Sequence, residues 1–376
     1  MMKKLTLSVV FLLISVISVA QKSFSVTIQF PKEVDTQHIR MGYDNGRERI
    51  AVPSQFVNNQ MTVSGTYFSR YVTLSMLDEE KESFVDMHYF WVDGTNASIT
   101  FTSKGSNENI FNQSSLKNAY RLDVVGKELQ DFTRAELNAY KVFYRHYFSP
   151  TYEGEYTDSL ARVFDTIYSS LRDKEIEFIK SRPTDYFAFD YFRRTLATDH
   201  TAHPDTLLSV FHLFSNEWKG SFEGNELELF LKGKALRKNA MAPIIEAADY
   251  YSKDKLSLQN KNYTLLVFWA SWCKPCLAEI PQIKTLRSKF SEDDLTIIYV
   301  TLDEEVTLFE QAVKKWDLRW SHIFGNKPLI KTFGVLGIPQ IFLVDKEGRI
   351  AYSREEEKDF SAQLPVLEKL LEDIID

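Results

Sequence analysis

Cys273 and Cys276 stand three positions apart and are the only two cysteines in a chain of 376 residues. Thiols so spaced can close a disulfide, supply half of a metal site, or do neither. Structural zinc takes four ligands and no second pair exists, so a zinc role would have to recruit distant histidines. Dithiol chemistry needs only the pair: one sulfur attacks a disulfide as its thiolate, and the other displaces it from the mixed disulfide. The setting favours this. Tyr263–Trp269 is an apolar run with Val and aromatic residues, suited to a strand buried on both faces of a parallel sheet, and a helix signal follows it. Cys273 then falls in the turn and Cys276 in the first helical turn, so the first sulfur meets unpaired N–H groups and the positive end of the helix dipole.

Trp272 before the first cysteine and Pro275 between the two complete W-C-x-P-C, a motif that resembles thioredoxin. From about Ala242 to the end, the chain resembles the secreted thioredoxin-like reductases of the TlpA and ResA type, through F-W-A-S-W-C-x-P-C and a following E-x-P. The resemblance implies three catalytic residues: Cys273 attacks, Cys276 resolves, and Glu279 assists. Positions three apart share a helix face, so Glu279 can approach the Cys276 sulfur and help move its proton; the plain alternative is a solvated helix acid. Where thioredoxin carries a buried acid on the preceding strand, this chain has Val267. Pro281, inside the helix, should kink its axis. Pro339, in Gly337-Ile338-Pro339, matches the cis-proline that faces the dithiol in thioredoxin folds, and is otherwise an ordinary loop proline. There the resemblance implies that the Ile338 backbone is an open edge for an extended substrate, making Trp272, Ile338 and Pro339 the substrate-binding residues. Lys274 and Pro275 would tune the redox pair. An exposed Lys274 should favour the thiolate only weakly. Pro275 resembles the thioredoxin dipeptide and implies a reducing potential. No bound cofactor and no metal is implied.

The elements that must position this site lie at the end of a longer chain. Residues 1–20 read as a secretory signal, with Lys3 and Lys4, an apolar run and small residues at Ser18-Val19-Ala20. Removing them leaves 43 basic against 52 acidic residues, a net charge of -9 that argues against nucleic acid as a partner. No stable membrane span is expected after cleavage. Residues 21–112 alternate in strand fashion over 23–30, 38–43, 47–52, 61–67, 71–77, 84–92 and 97–102, with Asp44-Asn45-Gly46 as a hairpin turn. They predict a small β-sandwich, which resembles the poorly characterised β-domain that often precedes a secreted thioredoxin-like domain. Residues 113–240 predict a helical region. Tyr140, Phe143, Tyr144, Tyr147 and Phe148 repeat at helical spacing, as do Leu160, Val163, Phe164, Ile167 and Leu171, and core packing is the expected use of both stripes. Asp199, His200 and His203 invite a metal reading, against which Pro204 signals a helix start. Residues 241–376 predict a mixed α/β sheet covered on both faces: a hairpin over 244–258, strands at 295–302, 341–344 and 349–353, and helices at 304–316, 329–333 and 360–375.

The expected protein is multidomain: an N-terminal β-sandwich, a helical middle region and a C-terminal α/β thioredoxin fold. Its expected activity is that of a periplasmic thiol–disulfide oxidoreductase reducing protein disulfides, with protein dithiol or disulfide substrates and an upstream electron donor as partners. A thiol peroxidase is the first alternative, although Ala270 and Ser271 stand where such enzymes usually show a Thr. The second is a partner-binding protein with an accessory redox domain.

Overall fold

The computed structural model describes residues 21–82, 86–102, 109–111, 113–148, 157–199, 201–259, 262–356 and 363–375. The expected signal segment and His200 lie outside them. The chain divides into two compact units, Met1–Asp131 with Lys141–Tyr156, and Phe132–Tyr140 with Thr157–Asp376.

In the first unit, strands β1 (Lys22–Gln29), β2 (Ile39–Asp44), β3 (Arg49–Val52), β4 (Gln60–Tyr67), β5 (Val72–Asp78), β6 (His88–Val92), β7 (Ala97–Phe101), β8 (Ser114–Lys117) and β9 (Ala119–Arg121) form two sheets. Their orders are β4-β1-β7-β8 and β3-β2-β5-β6-β9. Alternation decides which side chains enter the core: Phe24, Val26 and Ile28 of β1 point inward and meet Met41, Leu74 and Phe90 from the facing sheet. The β2–β3 turn closes as its residues dictate, since the Asn45 Oδ1 accepts N–H bonds from Arg47 and Glu48 at 2.8 and 3.0 Å and Gly46 takes φ +93°. Two strands correct the sequence reading. Residues 114–121, assigned there to the helical region, form β8 and β9 around Asn118 at φ +49° and add a strand to each sheet. β8 reads Ser-Ser-Leu-Lys and β9 Ala-Tyr-Arg, with too few apolar residues for an alternation to register. Of the strand expected over 84–92, residues 88–92 are β6 and residues 83–85 lie outside the described residues.

The long helix Asp158–Lys180 begins at Thr157, whose hydroxyl accepts the Leu160 N–H, and ends ahead of Arg182-Pro183. Leu171, Phe178 and Ile179 are buried on it, whereas Val163 is exposed; in the helix Arg134–Tyr147 and just beyond it, Phe143 is buried and Phe148 is exposed. The two stripes are therefore core only in part, because periodicity marks a face but not how far that face is covered. Asp199 pairs with Arg172 at 2.8 Å, and the His203 Nδ1 accepts the Asp205 N–H to cap the helix Pro204–Leu213. Among the described residues, no group of three or more His, Cys, Asp or Glu is placed to hold a metal ion.

The C-terminal sheet follows a short hairpin of β10 (Ala247–Ala248) and β11 (Lys255–Leu256). It contains β12 (Tyr263–Trp269), β13 (Leu295–Thr301), β14 (Ser321–Ile323), β15 (Gln340–Val344) and β16 (Ile350–Ser353), in the order β14-β13-β12-β15-β16. β12 runs parallel to β13 and antiparallel to β15. Period-two alternation explains why β12 is apolar throughout: Leu265, Val267 and Trp269 pack under the helices Lys274–Lys289 and Gln363–Ile375, while Leu266 and Phe268 pack on the opposite face with Leu329, Phe333 and Phe342. Trp316 and Trp320 pack against the first of these cores. The helical region meets this domain where the helix Phe222–Lys234 passes Gly334, which has φ +60° and would place a Cβ 2.0 Å from the Lys234 nitrogen.

Candidate functional site

The site forms where β12 hands over to the helix Lys274–Lys289. Cys273 is the N-cap of that helix, in extended conformation, and its Sγ accepts the Cys276 N–H at 3.2 Å. A donor that the helix leaves unpaired is thus satisfied by sulfur, which stabilises negative charge there once the pair is reduced. In this structure Cys273 and Cys276 are joined in a disulfide, with Cα atoms 5.3 Å apart. Both residues are only 5% exposed. Position alone predicts an accessible Cys273, ahead of the helix, and a shielded Cys276, one turn in. Burial does not separate the two; position does, since Cys273 caps the helix while Cys276 lies inside its first turn.

Trp272 is 63% exposed beside this buried pair, and Lys274 and Pro275 are exposed on the first helical turn. Across from the dithiol, the Ile338–Pro339 peptide is cis, and the Ile338 carbonyl oxygen lies 3.8 Å from the Cys273 sulfur. β15 starts one residue later and pairs Gln340 with Phe268. The sheet therefore carries the proline loop to the cysteine loop although 65 residues separate them. The helix continues through Pro281 to Lys289.

Glu279 is half-buried on the same helix, and its Oε2 accepts a hydrogen bond from the Arg354 Nη2 at 2.9 Å. Arg354, one residue past β16 and 4% exposed, also donates through Nη1 to the Pro339 carbonyl at 3.0 Å. Burial, and after it the Glu279 carboxylate, holds the hydroxyl of Tyr299 on β13 well above its ordinary pKa. The Glu279 side chain, 25% exposed, is thus ion-paired to a buried arginine on the helix that carries Cys276.

Sequence reasoning missed two residues here. Arg354 is one. The other is Asp303, 5% exposed, whose carboxylate accepts the Ser271 N–H at 2.9 Å, the Ser271 hydroxyl at 2.6 Å and the Thr301 hydroxyl at 2.6 Å. With the Leu302 N–H donating to the Trp269 carbonyl at 2.8 Å, this pins the loop that leads into Trp272 and Cys273. An acid two residues past a buried strand was the available signal for Asp303; for Arg354 there was none.

A family model described as thioredoxin-like matches residues 260–350. The chain is similar to a thiol-disulfide oxidoreductase ResA of Bacillus cereus (strain ATCC 10987 / NRS 248), at 38% identity over 124 residues that cover 32% of this chain and 71% of the relative. It is 33% identical, over the same length and shares, to a thiol-disulfide oxidoreductase ResA of Bacillus thuringiensis subsp. konkukian (strain 97-27). Among solved structures, it resembles the thioredoxin domain of a thiol-disulfide oxidoreductase from Bacteroides vulgatus, at 24% identity over 36% of this chain and 99% of that one, with a TM-score of 0.32.

Proposed function

The chain belongs to the thiol–disulfide oxidoreductases of the ResA type, and from that premise we propose that it reduces protein disulfides in the periplasm through the Cys273–Cys276 dithiol. The observation that carries the residue roles is the Cys273 sulfur at the helix N-cap, accepting the Cys276 N–H. In the reduced protein the Cys273 thiolate attacks a substrate disulfide, forms a mixed disulfide and expels one substrate thiolate, which takes a proton from water. The Cys276 thiol then passes its proton to Glu279 and attacks the Cys273 sulfur. The internal disulfide closes, the second substrate thiolate leaves, and two electrons have moved to the substrate. A dithiol donor upstream restores the pair.

Trp272 offers an exposed apolar surface to the substrate, and the Ile338 and Pro339 backbone offers an edge for an extended segment. Lys274 and Pro275 tune the couple. The periplasmic placement rests on the signal-like residues 1–20; among the described residues no helix is long and apolar enough to cross a membrane. With residues 114–121 moved into the sandwich by β8 and β9, we take residues 21–121, 122–240 and 241–376 as the sandwich, helical and redox domains, the last with Cys273 as nucleophile.

Equilibration of the full chain with glutathione redox buffers tests the direction. The expected potential lies within tens of millivolts of about -270 mV, with reduction of insulin disulfides by the dithiol form. A potential near about -120 mV, that of a strong oxidant, would reverse the proposed direction.

A further inference from the structure

Arg354 is a buried cation with a divided task. Taking a guanidinium out of water is costly unless its donors are matched. Among the described residues, Nη2 reaches the Glu279 Oε2 at 2.9 Å and Nη1 reaches the Pro339 carbonyl at 3.0 Å, while Nε is buried without a hydrogen-bond partner. All of its hydrogen bonding thus goes into one bridge, between the helix that carries Cys276 and the loop whose Ile338 carbonyl faces the Cys273 sulfur. The segment that carries Arg354 is anchored in turn: β16 pairs with β15, and the Glu356 carboxylate accepts the Lys238 N–H at 2.7 Å.

We propose that Arg354 is a positioning residue of the dithiol site, which holds the Glu279 carboxylate toward Cys276 and fixes the Pro339 carbonyl in the same rigid fork. The inference rests on the reading of Glu279 as the proton acceptor for Cys276. Of the two carboxylate oxygens, Oε2 is taken by Arg354, which leaves Oε1 for the Cys276 thiol. The step affected is resolution: Cys276–SH and the Cys273–S–S–R mixed disulfide become the Cys273–Cys276 disulfide and R–S⁻, with the thiol proton moving to Glu279. The first attack, by the Cys273 thiolate, uses the helix N-cap instead and does not pass through Arg354. A planar fork spans both acceptors, whereas an ammonium is a single point.

Full-length Arg354→Met, Arg354→Lys, Glu279→Gln and the double variant Arg354→Met/Glu279→Gln separate the possibilities. Two rates are read as a function of pH: alkylation of reduced Cys273, and release of a preformed mixed disulfide with a small aromatic thiol. Arg354→Met should slow release at least tenfold and change its pH profile while leaving alkylation within about twofold. Arg354→Lys should recover part of the loss, and, should the Met variant fold poorly, its release rate carries the test. Glu279→Gln should be equally slow, and the double variant no slower than it. Multiplying defects, or normal release in both Arg354 variants beside a slow Glu279→Gln, would overturn the Arg354 inference and leave the Glu279 role standing. Release at the parent rate in Glu279→Gln would overturn the Glu279 role itself, and the inference with it.

Discussion

At Cys273 a single sulfur does two jobs, closing the disulfide and satisfying the N–H of Cys276, so reduction leaves a thiolate already facing a donor. That much was legible in residue types, because W-C-x-P-C after an apolar run fixes strand, cap and helix together. The same holds for Ile338 and Pro339, whose cis peptide stands beside the dithiol. Arg354 was not legible and Asp303 only as an acid just past a buried strand, since their partners Glu279 and Ser271 lie 75 and 32 residues away in sequence. A third such residue is His322 on β14, wedged among the rings of Trp269, Tyr299 and Phe309. Burial lowers its pKa from 6.5 to about 4. The unfolded chain takes up a proton below about pH 6.5 that the folded chain refuses until about pH 4, so its stability contribution is full above that window and falls as pH drops through it. The loss is on the order of 3 kcal/mol. Asp249, which accepts the His322 N–H at 2.7 Å, is held below the usual carboxylate range by backbone N–H groups despite its burial, and so loses its contribution at lower pH. Denaturant unfolding of the parent and of His322→Phe between pH 4 and 7 should give a flatter profile for the variant; parallel profiles would contradict this assignment.

Whole elements were most readable where burial is two-sided. The apolar run of β12 announced itself because both faces are covered, by one pair of helices and by the Leu329–Phe333 side. β8 and β9 were lost because Ser-Ser-Leu-Lys and Ala-Tyr-Arg offer too few apolar residues to show a period. Helix packing against the redox domain was also invisible: nothing in the sequence sets Gly334 beside Lys234 from a hundred residues upstream. There a Cβ would sit 2.0 Å from the Lys234 nitrogen, with φ +60° besides. Gly325 has a similar φ of +75° but nothing within 4 Å of a Cβ. Gly325→Ala should therefore cost about 1 kcal/mol, the strain alone, and Gly334→Ala about 2–5 kcal/mol, strain plus overpacking. Shifts in urea midpoint measure both. Equal shifts would mean that the helix Phe222–Lys234 yields freely and does not brace the segment leading to the proline loop.

Over the whole molecule, the two relatives cover 32% of the chain, and the thioredoxin-like family model spans residues 260–350, which hold both cysteines. The sandwich and helical regions were legible as a fold class, through strand alternation and helical stripes, but not as a function: of the one spacing that invites a metal reading, Asp199 pairs with Arg172 and His203 caps a helix. The roles of the two sulfurs differ by one asymmetry at the site, which the full chain can report directly. Reduced Cys276→Ser and Cys273→Ser proteins are each mixed with a disulfide-bonded protein such as insulin, quenched, and resolved without reductant. If Cys273 attacks and Cys276 resolves, Cys276→Ser accumulates a one-to-one mixed disulfide through Cys273 and Cys273→Ser accumulates little. Equal trapping by the two variants, or greater trapping by Cys273→Ser, would contradict the assignment of the two sulfurs.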